Sequence, residues 1–151
     1  MPSSSDPVTH VRAARDGDAS DIASLITLLG YPCLPDEART RMRAVAAEHD
    51  QALLVAERDG HLCGLLALDL MYYLPLGART CRITALVVAT EHQGEGIGRE
   101  LLQAAESWAR QAGAARIEVT SAAHRENAHA FYRARGYSDG SMRFVKRLGD
   151  A

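Results

Sequence analysis

A glycine-rich segment joins an apolar strand to an amphipathic helix in the second half of the chain. It reads Gln93-Gly94-Glu95-Gly96-Ile97-Gly98-Arg99 and follows the apolar residues 86–88. Apolar residues then recur at steps of four and three over residues 97–112, which predicts a long helix closed by Gly113. Glycines at such a junction let backbone N–H groups approach an anion, and the helix dipole adds about half a positive charge. Three alternating glycines exceed what a tight turn needs, so the segment predicts a phosphate site.

Two common phosphate-binding loops do not fit this segment. A dinucleotide loop, G-x-G-x-x-G, read from Gly94 requires glycine where the chain has Arg99. A P-loop requires a Gly-Lys pair, and the sequence contains none. The segment therefore belongs to neither loop type.

The composition is that of an ordinary globular domain. The chain has 151 residues, 47% of them hydrophobic and 24% charged, so we expect one domain over residues 9–149 after a disordered lead, residues 1–8. No apolar run approaches the roughly 20 residues of a membrane span, and the start lacks a secretion signal. The three cysteines are widely spaced, which indicates reduced thiols in a cytoplasmic protein and no metal site.

The charge balance bears on the partners. A net charge of −2 gives no reason to expect nucleic acid. Residues 1–78 hold six Lys/Arg against eleven Asp/Glu, and residues 79–151 hold eleven against eight. An acidic first half suits a cationic ligand and a basic second half a phosphate-bearing one, although charges scattered over solvated surfaces explain the counts about as well.

Strands and helices alternate along the chain. Strands are expected over residues 11–14, 53–57, 62–70, 82–88, 117–119 and 142–148, and helices over residues 22–29, 35–46, 97–112 and 126–135. Asp18 and Asp21 resemble a capping arrangement for the first helix, and Asp59-Gly60 predicts a tight hairpin turn. Residues 72–77 are expected to form a loop. Strict alternation in the fourth long strand would place Ile83, Ala85 and Val87 on one face.

The motifs resemble those of the GCN5-related N-acetyltransferase (GNAT) superfamily. Gln93-x-x-Gly96-x-Gly98 is similar to the family's acetyl-CoA signature, (R/Q)-x-x-G-x-(G/A), and Asn127-x-x-Ala130-Phe131-Tyr132 with Gly136-Tyr137 is similar to its second signature. The likeness covers nearly all of residues 11–148. It implies an α/β (α+β) fold, with a mixed, mostly antiparallel sheet of six to seven strands and about four helices. The sheet would splay open at a bulge in the fourth strand.

The resemblance implies an enzyme that moves an acetyl group directly from acetyl-CoA to a primary amine of a small molecule or peptide. No metal, nucleic acid or membrane is implied, and a homodimer is possible. The alternative is a non-catalytic acyl-CoA-binding regulatory module, because residues 82–85 lack the glutamate that many relatives carry there. By position, the residues implied in cofactor binding are Leu86, Val87, Val88, Gln93, Gly94, Glu95, Gly96, Ile97, Gly98, Arg99 and Asn127.

The implied general acid is Tyr132, because a phenol stays protonated at neutral pH and can donate to a leaving thiolate. The base stays open among Glu118, Asp69, His124 and a relay of ordered water, of which the water relay is preferred. Three tyrosines in predicted loops are candidates for contacting the acceptor by stacking or cation–π contact, although they are equally consistent with a dimer contact or a covered sheet edge. They are Tyr31, Tyr72 and Tyr73.

Overall fold

The computed structural model describes residues 8–119, 126–138, 140 and 144–149. The chain divides into two compact units, Met1–Thr120 and Ser121–Ala151. The first unit holds the sheet and three helices, and the second holds a fourth helix. Of the expected lead, residues 1–7 lie outside the described part, and the expectation of a single domain stays a prediction.

The first unit is a five-stranded sheet with helices on both faces. Its strands are β1 (His10–Ala13), β2 (Gln51–Arg58), β3 (His61–Tyr73), β4 (Ala78–Val88) and β5 (Arg116–Val119). They lie side by side in chain order, antiparallel except for the parallel pair β4 and β5. The helices are α1 (Ala19–Leu29), α2 (Pro35–Ala46) and α3 (Ile97–Gln111). The mixed, mostly antiparallel sheet confirms the predicted fold class, with five strands in the described residues instead of six to seven.

The two faces of the sheet have separate cores. On one face, α1 and α2 pack their apolar side chains against Val55, Leu65 and Val87. On the other face, α3 contributes Ile97 and Leu101, both almost fully buried. Their methyl groups lie so close to Gly64 that a Cβ there would stand 2.8 Å from Leu101 Cδ1. A glycine in the first third of β3 thus lets α3 approach the sheet closely.

The start of α1 differs from the predicted capping arrangement. Asp18 is the N-cap residue, but its carboxylate caps no helix N–H. It instead accepts hydrogen bonds from the Arg12 guanidinium at 2.8 and 2.9 Å and from the backbone N–H of Arg15 at 2.8 Å. Asp21 is also engaged elsewhere, since it accepts a hydrogen bond from the backbone N–H of Leu62. The two carboxylates bind the Arg12 guanidinium and the Leu62 N–H instead of capping the helix. Local sequence spacing reports neither of these contacts.

The sequence predicted one of the two hairpin turns correctly and misplaced the start of the other. Asp59 and Gly60 both have positive φ, 51° and 79°, as a two-residue type I′ turn requires, so the predicted tight turn is confirmed. The predicted loop over residues 72–77 is wrong at its start. β3 continues through Tyr73, because residues 72 and 73 pair with β4, and only residues 74–77 form the turn.

A β-bulge interrupts β4 at Thr84. Ala85 pairs with Ala67 on β3 and Ile83 pairs with Leu68, so Thr84 is the extra residue. The bulge that the resemblance implied in the fourth strand is therefore present. It also overturns the strict alternation expected there, because Ile83 faces α3 whereas Ala85 and Val87 face α1 and α2.

The described part of the second unit contains one helix, α4 (Glu126–Ala134). The helix ends in a Schellman motif, in which the N–H groups of Gly136 and Tyr137 bond to the carbonyls of Arg133 and Tyr132. This confirms the predicted end at Gly136, whose φ is 90°. Residues 144–148 form no strand, although one was expected over 142–148, and positions 142 and 143 lie outside the described residues.

Candidate functional site

The glycine turn places a series of backbone N–H groups between β4 and α3. Gly94 and Gly96 have φ values of 84° and 83°, which only glycine adopts without strain, and Gly96 is the N-cap of α3. Gly98 lies inside the helix. Within the described part of the chain, the N–H groups of residues 94–99 have no hydrogen-bond acceptor, and the first helical bond runs from Glu100 to Gly96. Unpaired N–H groups at a helix start form an anion site.

A brace of three polar side chains, Arg58–Glu95–His92, holds this turn. Arg58, on β2, donates to Glu95 Oε2 at 2.9 Å, and His92 Nδ1 lies 3.1 Å from the same oxygen. Arg58 is largely buried and also donates to the hydroxyl of Thr9. The Gln93 side chain donates to the Val88 carbonyl at 3.4 Å, so it is directed at the end of β4. Sequence reasoning missed Arg58 and His92, because a cross-strand contact leaves no spacing signal.

Beyond the bulge, β4 presents a backbone edge beside the turn. One edge of Leu86, Val87 and Val88 pairs with residues 64–66 of β3. On the opposite side, the parallel pairs with β5 run only from Thr80 with Arg116 to Ile83 with Val119. In the described residues, the edge of β4 next to the glycine turn therefore has no strand partner, and extended backbone there suits strand-like addition of a ligand.

A row of charged side chains crosses the sheet just before the bulge. Asp69, Arg82 and Glu118 are neighbours in register on β3, β4 and β5. Arg82 Nε donates to Glu118 Oε1 at 2.7 Å, and Arg116 Nη2 lies 3.6 Å from Glu118 Oε2. In the part of the chain that is described, Asp69 makes no ion pair. Of the two carboxylates proposed as bases from the sequence, Glu118 is thus occupied by guanidiniums and Asp69 is not.

The three candidate tyrosines do not form one cluster. Tyr72 and Tyr73 are adjacent on β3 and point to opposite faces of the sheet. Tyr73 shares a face with the charged row, and the Arg116 guanidinium lies over its ring at 4.8 Å from the centroid. Tyr72 is 60% exposed, and its hydroxyl lies beside the hairpin turn at Gly77. Tyr31 follows α1 and is 65% exposed.

Two of the three cysteines do not resemble nucleophiles. Cys63 on β3 and Cys81 on β4 are fully buried. Burial raises the pKa of Cys63, and burial together with the charge of Asp69 raises the pKa of Cys81 to about 11. Both thiols therefore stay protonated at neutral pH. Because only the thiolate is nucleophilic, neither is suited to attack a thioester.

The other predicted site residues belong to the second unit. Tyr132 lies in α4, with its ring in edge contact with Phe131 at 5.3 Å and tilted against Tyr137 at 5.7 Å. The backbone of Asn127 lies in the first turn of the same helix. His124 lies outside the described residues.

Comparison with known proteins identifies the family. The model of the acetyltransferase (GNAT) family matches residues 20–137, which include the glycine turn and α4. The chain belongs to the GNAT family of acetyltransferases. It is 33% identical to the aminoalkylphosphonate N-acetyltransferase of Salmonella typhimurium, over 94% of this chain and 93% of that protein. It is 28% identical to the aminoglycoside N(6')-acetyltransferase type 1 of Stenotrophomonas maltophilia, over 85% of this chain and 86% of that protein.

A solved structure shares the GNAT fold. The aminoglycoside N-acetyltransferase AAC(6')-Iy in complex with CoA superposes with a TM-score of 0.83 at 14% identity, over 97% of this chain and 98% of that one. The protein is an acetyl-CoA-dependent acyltransferase that acetylates amines, as its named relatives do. Among the described residues, no helix is long and apolar enough to cross a membrane, and no group of three potential metal ligands occurs.

Proposed function

We propose that this enzyme transfers acetyl directly from acetyl-CoA to the primary amine of a small molecule. The proposal is carried by the unpaired N–H groups of residues 94–99, which lie between the bulged strand β4 and the start of α3. Such a group of donors suits the pyrophosphate of coenzyme A. Both named relatives act on small amines, which favours a small acceptor over a peptide.

The coenzyme would be held by main-chain groups along two elements. Gly94, Glu95, Gly96, Ile97, Gly98 and Arg99 would bind the pyrophosphate, with Gln93 at the entry to the turn. Leu86, Val87 and Val88 would bond to the pantetheine arm along the free edge of β4, and Asn127 would help to fix it. The Arg58–Glu95–His92 brace supports this assignment, because a turn that is already ordered loses little entropy on binding.

The acceptor amine must lose a proton before it attacks. A lysine-like amine has a pKa of about 10.4 and is neutral in roughly one molecule in a thousand at pH 7, a cost of about 4–5 kcal/mol. We assign the receiving carboxylate to Asp69, through ordered water, because the oxygens of Glu118 already engage Arg82 and Arg116. Glu118, one of the bases that the sequence left open, would then position the two arginines.

The thiolate of coenzyme A must be protonated as it leaves. Tyr132 would supply that proton, as the resemblance implies. Direct transfer is supported by Cys63 and Cys81, because neither thiol is accessible or ionised at neutral pH. The amine therefore attacks the thioester carbonyl, the C–S bond breaks, and the products are the amide and free coenzyme A.

The test is steady-state acetylation of an amine panel, read as free thiol released and as the mass of the product. The panel contains 2-aminoethylphosphonate, an aminoglycoside, a polyamine and a peptide N-terminus. We expect turnover with at least one small amine and none with the peptide. Thiol release at the background rate with every small amine would contradict the proposal.

A pair of glycine variants tests the phosphate site separately. Gly96 and Gly113 lie at the two ends of α3 with nearly equal φ, 83° and 82°, and an added Cβ has no contact under 3.7 Å at either. Alanine should strain both backbones by about 1–2 kcal/mol. Only Gly96→Ala should raise KM for acetyl-CoA. An equal rise in Gly113→Ala would show that helix strain, not the phosphate site, is responsible.

A further inference from the structure

Two arginines on adjacent strands are held in fixed orientations beside the bulge. Arg82 Nε donates to Glu118 Oε1 at 2.7 Å. Arg116 Nε donates at 3.1 Å to the hydroxyl of Thr80, which is fully buried. We call Arg82 and Arg116 the arginine pair. Arg116 Nη2 also lies 3.6 Å from Glu118 Oε2, and among the described residues no hydrogen bond engages the Nη atoms of Arg82 or Nη1 of Arg116.

The arginine pair is ordered but not enclosed. The Arg116 guanidinium lies over the Tyr73 ring at 4.8 Å from its centroid, which restricts the side chain further. The side chains of Arg82 and Arg116 nevertheless remain 41% and 44% exposed. A guanidinium whose rotamer is already fixed loses little entropy when it binds, and its planar fork matches the oxygens of phosphonate, phosphate or carboxylate.

The two ends of the charged row differ in the sign of their charge. Over β4 and β5, the two guanidiniums share one carboxylate, Glu118, so this end of the row carries a surplus positive charge. Over β3, Asp69 faces Arg82 in register and makes no ion pair with any described residue. The row therefore offers an anion site next to a carboxylate, an arrangement that complements a molecule with an ammonium at one end and an oxyanion at the other.

We propose that the acceptor is a small amine that also carries an oxyanion, and that the arginine pair binds this oxyanion. The proposal rests on the proposed function, because it places the acceptor on the face that holds Asp69. The ammonium would lie towards Asp69 and the oxyanion towards Arg82 and Arg116. Phosphonate, phosphate ester and carboxylate share this chemistry.

The experiment compares matched amines with wild type, Arg116→Gln and Arg82→Gln. The amines are 2-aminoethylphosphonate, O-phosphoethanolamine, β-alanine and the uncharged isostere propylamine. Loss of one charged hydrogen-bonding partner should lower kcat/KM for the preferred anionic amine about 10- to 100-fold, mainly through KM. The value for propylamine should change less than twofold. The order of the three anionic amines identifies the oxyanion.

Arg79→Gln is the matched control. Arg79 lies on β4, on the opposite face of the sheet from the arginine pair, and is similarly exposed. It should leave kcat/KM unchanged for every amine. Circular dichroism establishes that each variant is folded, and Arg116→Lys provides a second test, since a point charge should restore only part of the anion preference.

The outcomes separate the two proposals. If wild type acetylates propylamine as well as the anionic amines, or if the arginine variants lose activity towards all amines equally, the anion site is refuted while the acetyltransferase proposal stands. If no amine is acetylated, calorimetric binding of 2-aminoethylphosphonate still tests whether the arginine pair binds an oxyanion. Binding by wild type and loss of binding in both variants supports the arginine pair, whereas no binding by wild type refutes it.

Discussion

Replacing Gly64 by alanine should damage the packing of α3 on the sheet. The added Cβ would stand 2.8 Å from Leu101 Cδ1 and 3.1 Å from Ile97 Cγ2. Carbon atoms pack at about 3.5–4.0 Å, so the nearer contact is too short by about 0.7 Å. Both neighbours are almost fully buried, so neither can turn away into solvent. Either α3 moves outwards, or Leu101 takes a strained rotamer.

The expected cost follows from two opposing terms. Overpacking a core by a methyl group costs about 1–3 kcal/mol, and alanine gains about 0.5–1 kcal/mol over glycine inside a strand. The net loss in the free energy of unfolding should be about 0.5–2 kcal/mol. For a chain of this length each kcal/mol lowers Tm by about 2–4 °C. Urea unfolding and thermal melting of wild type and Gly64→Ala measure the two quantities.

A double-mutant cycle tests the stated cause. Leu101→Ala alone should cost about 2–5 kcal/mol, because it leaves a cavity. In the Gly64→Ala background it should cost at least about 0.5 kcal/mol less, since the new methyl group fills part of that space. Gly17→Ala is the control, because nothing lies within 4 Å of its Cβ position. Strict additivity in the cycle, or a Gly64→Ala protein as stable as wild type, would refute the reasoning.

Three further variants test separate parts of the molecule. Tyr132→Phe should lower kcat about 10²–10⁴-fold and leave KM for acetyl-CoA nearly unchanged, and equal effects on both would make it a packing residue. Arg58→Gln should raise KM for acetyl-CoA about fivefold, from about 1 kcal/mol for a partly exposed ion pair, because Glu95 then lies unpaired in the phosphate turn; an unchanged KM contradicts the brace. The hydrogen bond from Arg12 lowers the pKa of Asp18, so that carboxylate stabilises the fold above the pKa of an unfolded aspartate. Asp18→Asn should cost about 1.5–3 kcal/mol at pH 7, and urea titrations should show the deficit shrinking below about pH 4.

The parts of the fold that depend on local sequence were predictable. Asp59-Gly60 demands positive φ at both positions, and a hairpin of two apolar strands leaves few other turn types. The glycine turn was visible for the same reason, because Gly94 and Gly96 are needed where φ is positive. Helix α3 followed from the spacing of its apolar residues, which form the stripe that meets β3.

The predictions failed where contacts between residues far apart in the sequence determine the local structure. The bulge at Thr84 inverts the faces of β4, and its position depends on the register against β3, which no period-two pattern reports. The Asp18 carboxylate binds Arg12 instead of capping α1. The guanidinium on the neighbouring strand offers two charge-assisted hydrogen bonds, whereas a helix N–H offers one neutral donor.

The charged row shows why the bulge matters for the chemistry. The direct pairs of Asp69 with Arg82 and of Arg82 with Glu118 lie on the α1–α2 face. Past Thr84 the same face carries Ala85 and Val87, which are apolar. The extra residue therefore places Ala85 and Val87, and not Leu86 and Val88, on the face of the strand that carries Arg82. An amine bound over the charged part would lie next to the backbone edge of β4 that we propose binds the pantetheine arm, because the row of charges ends where that edge begins.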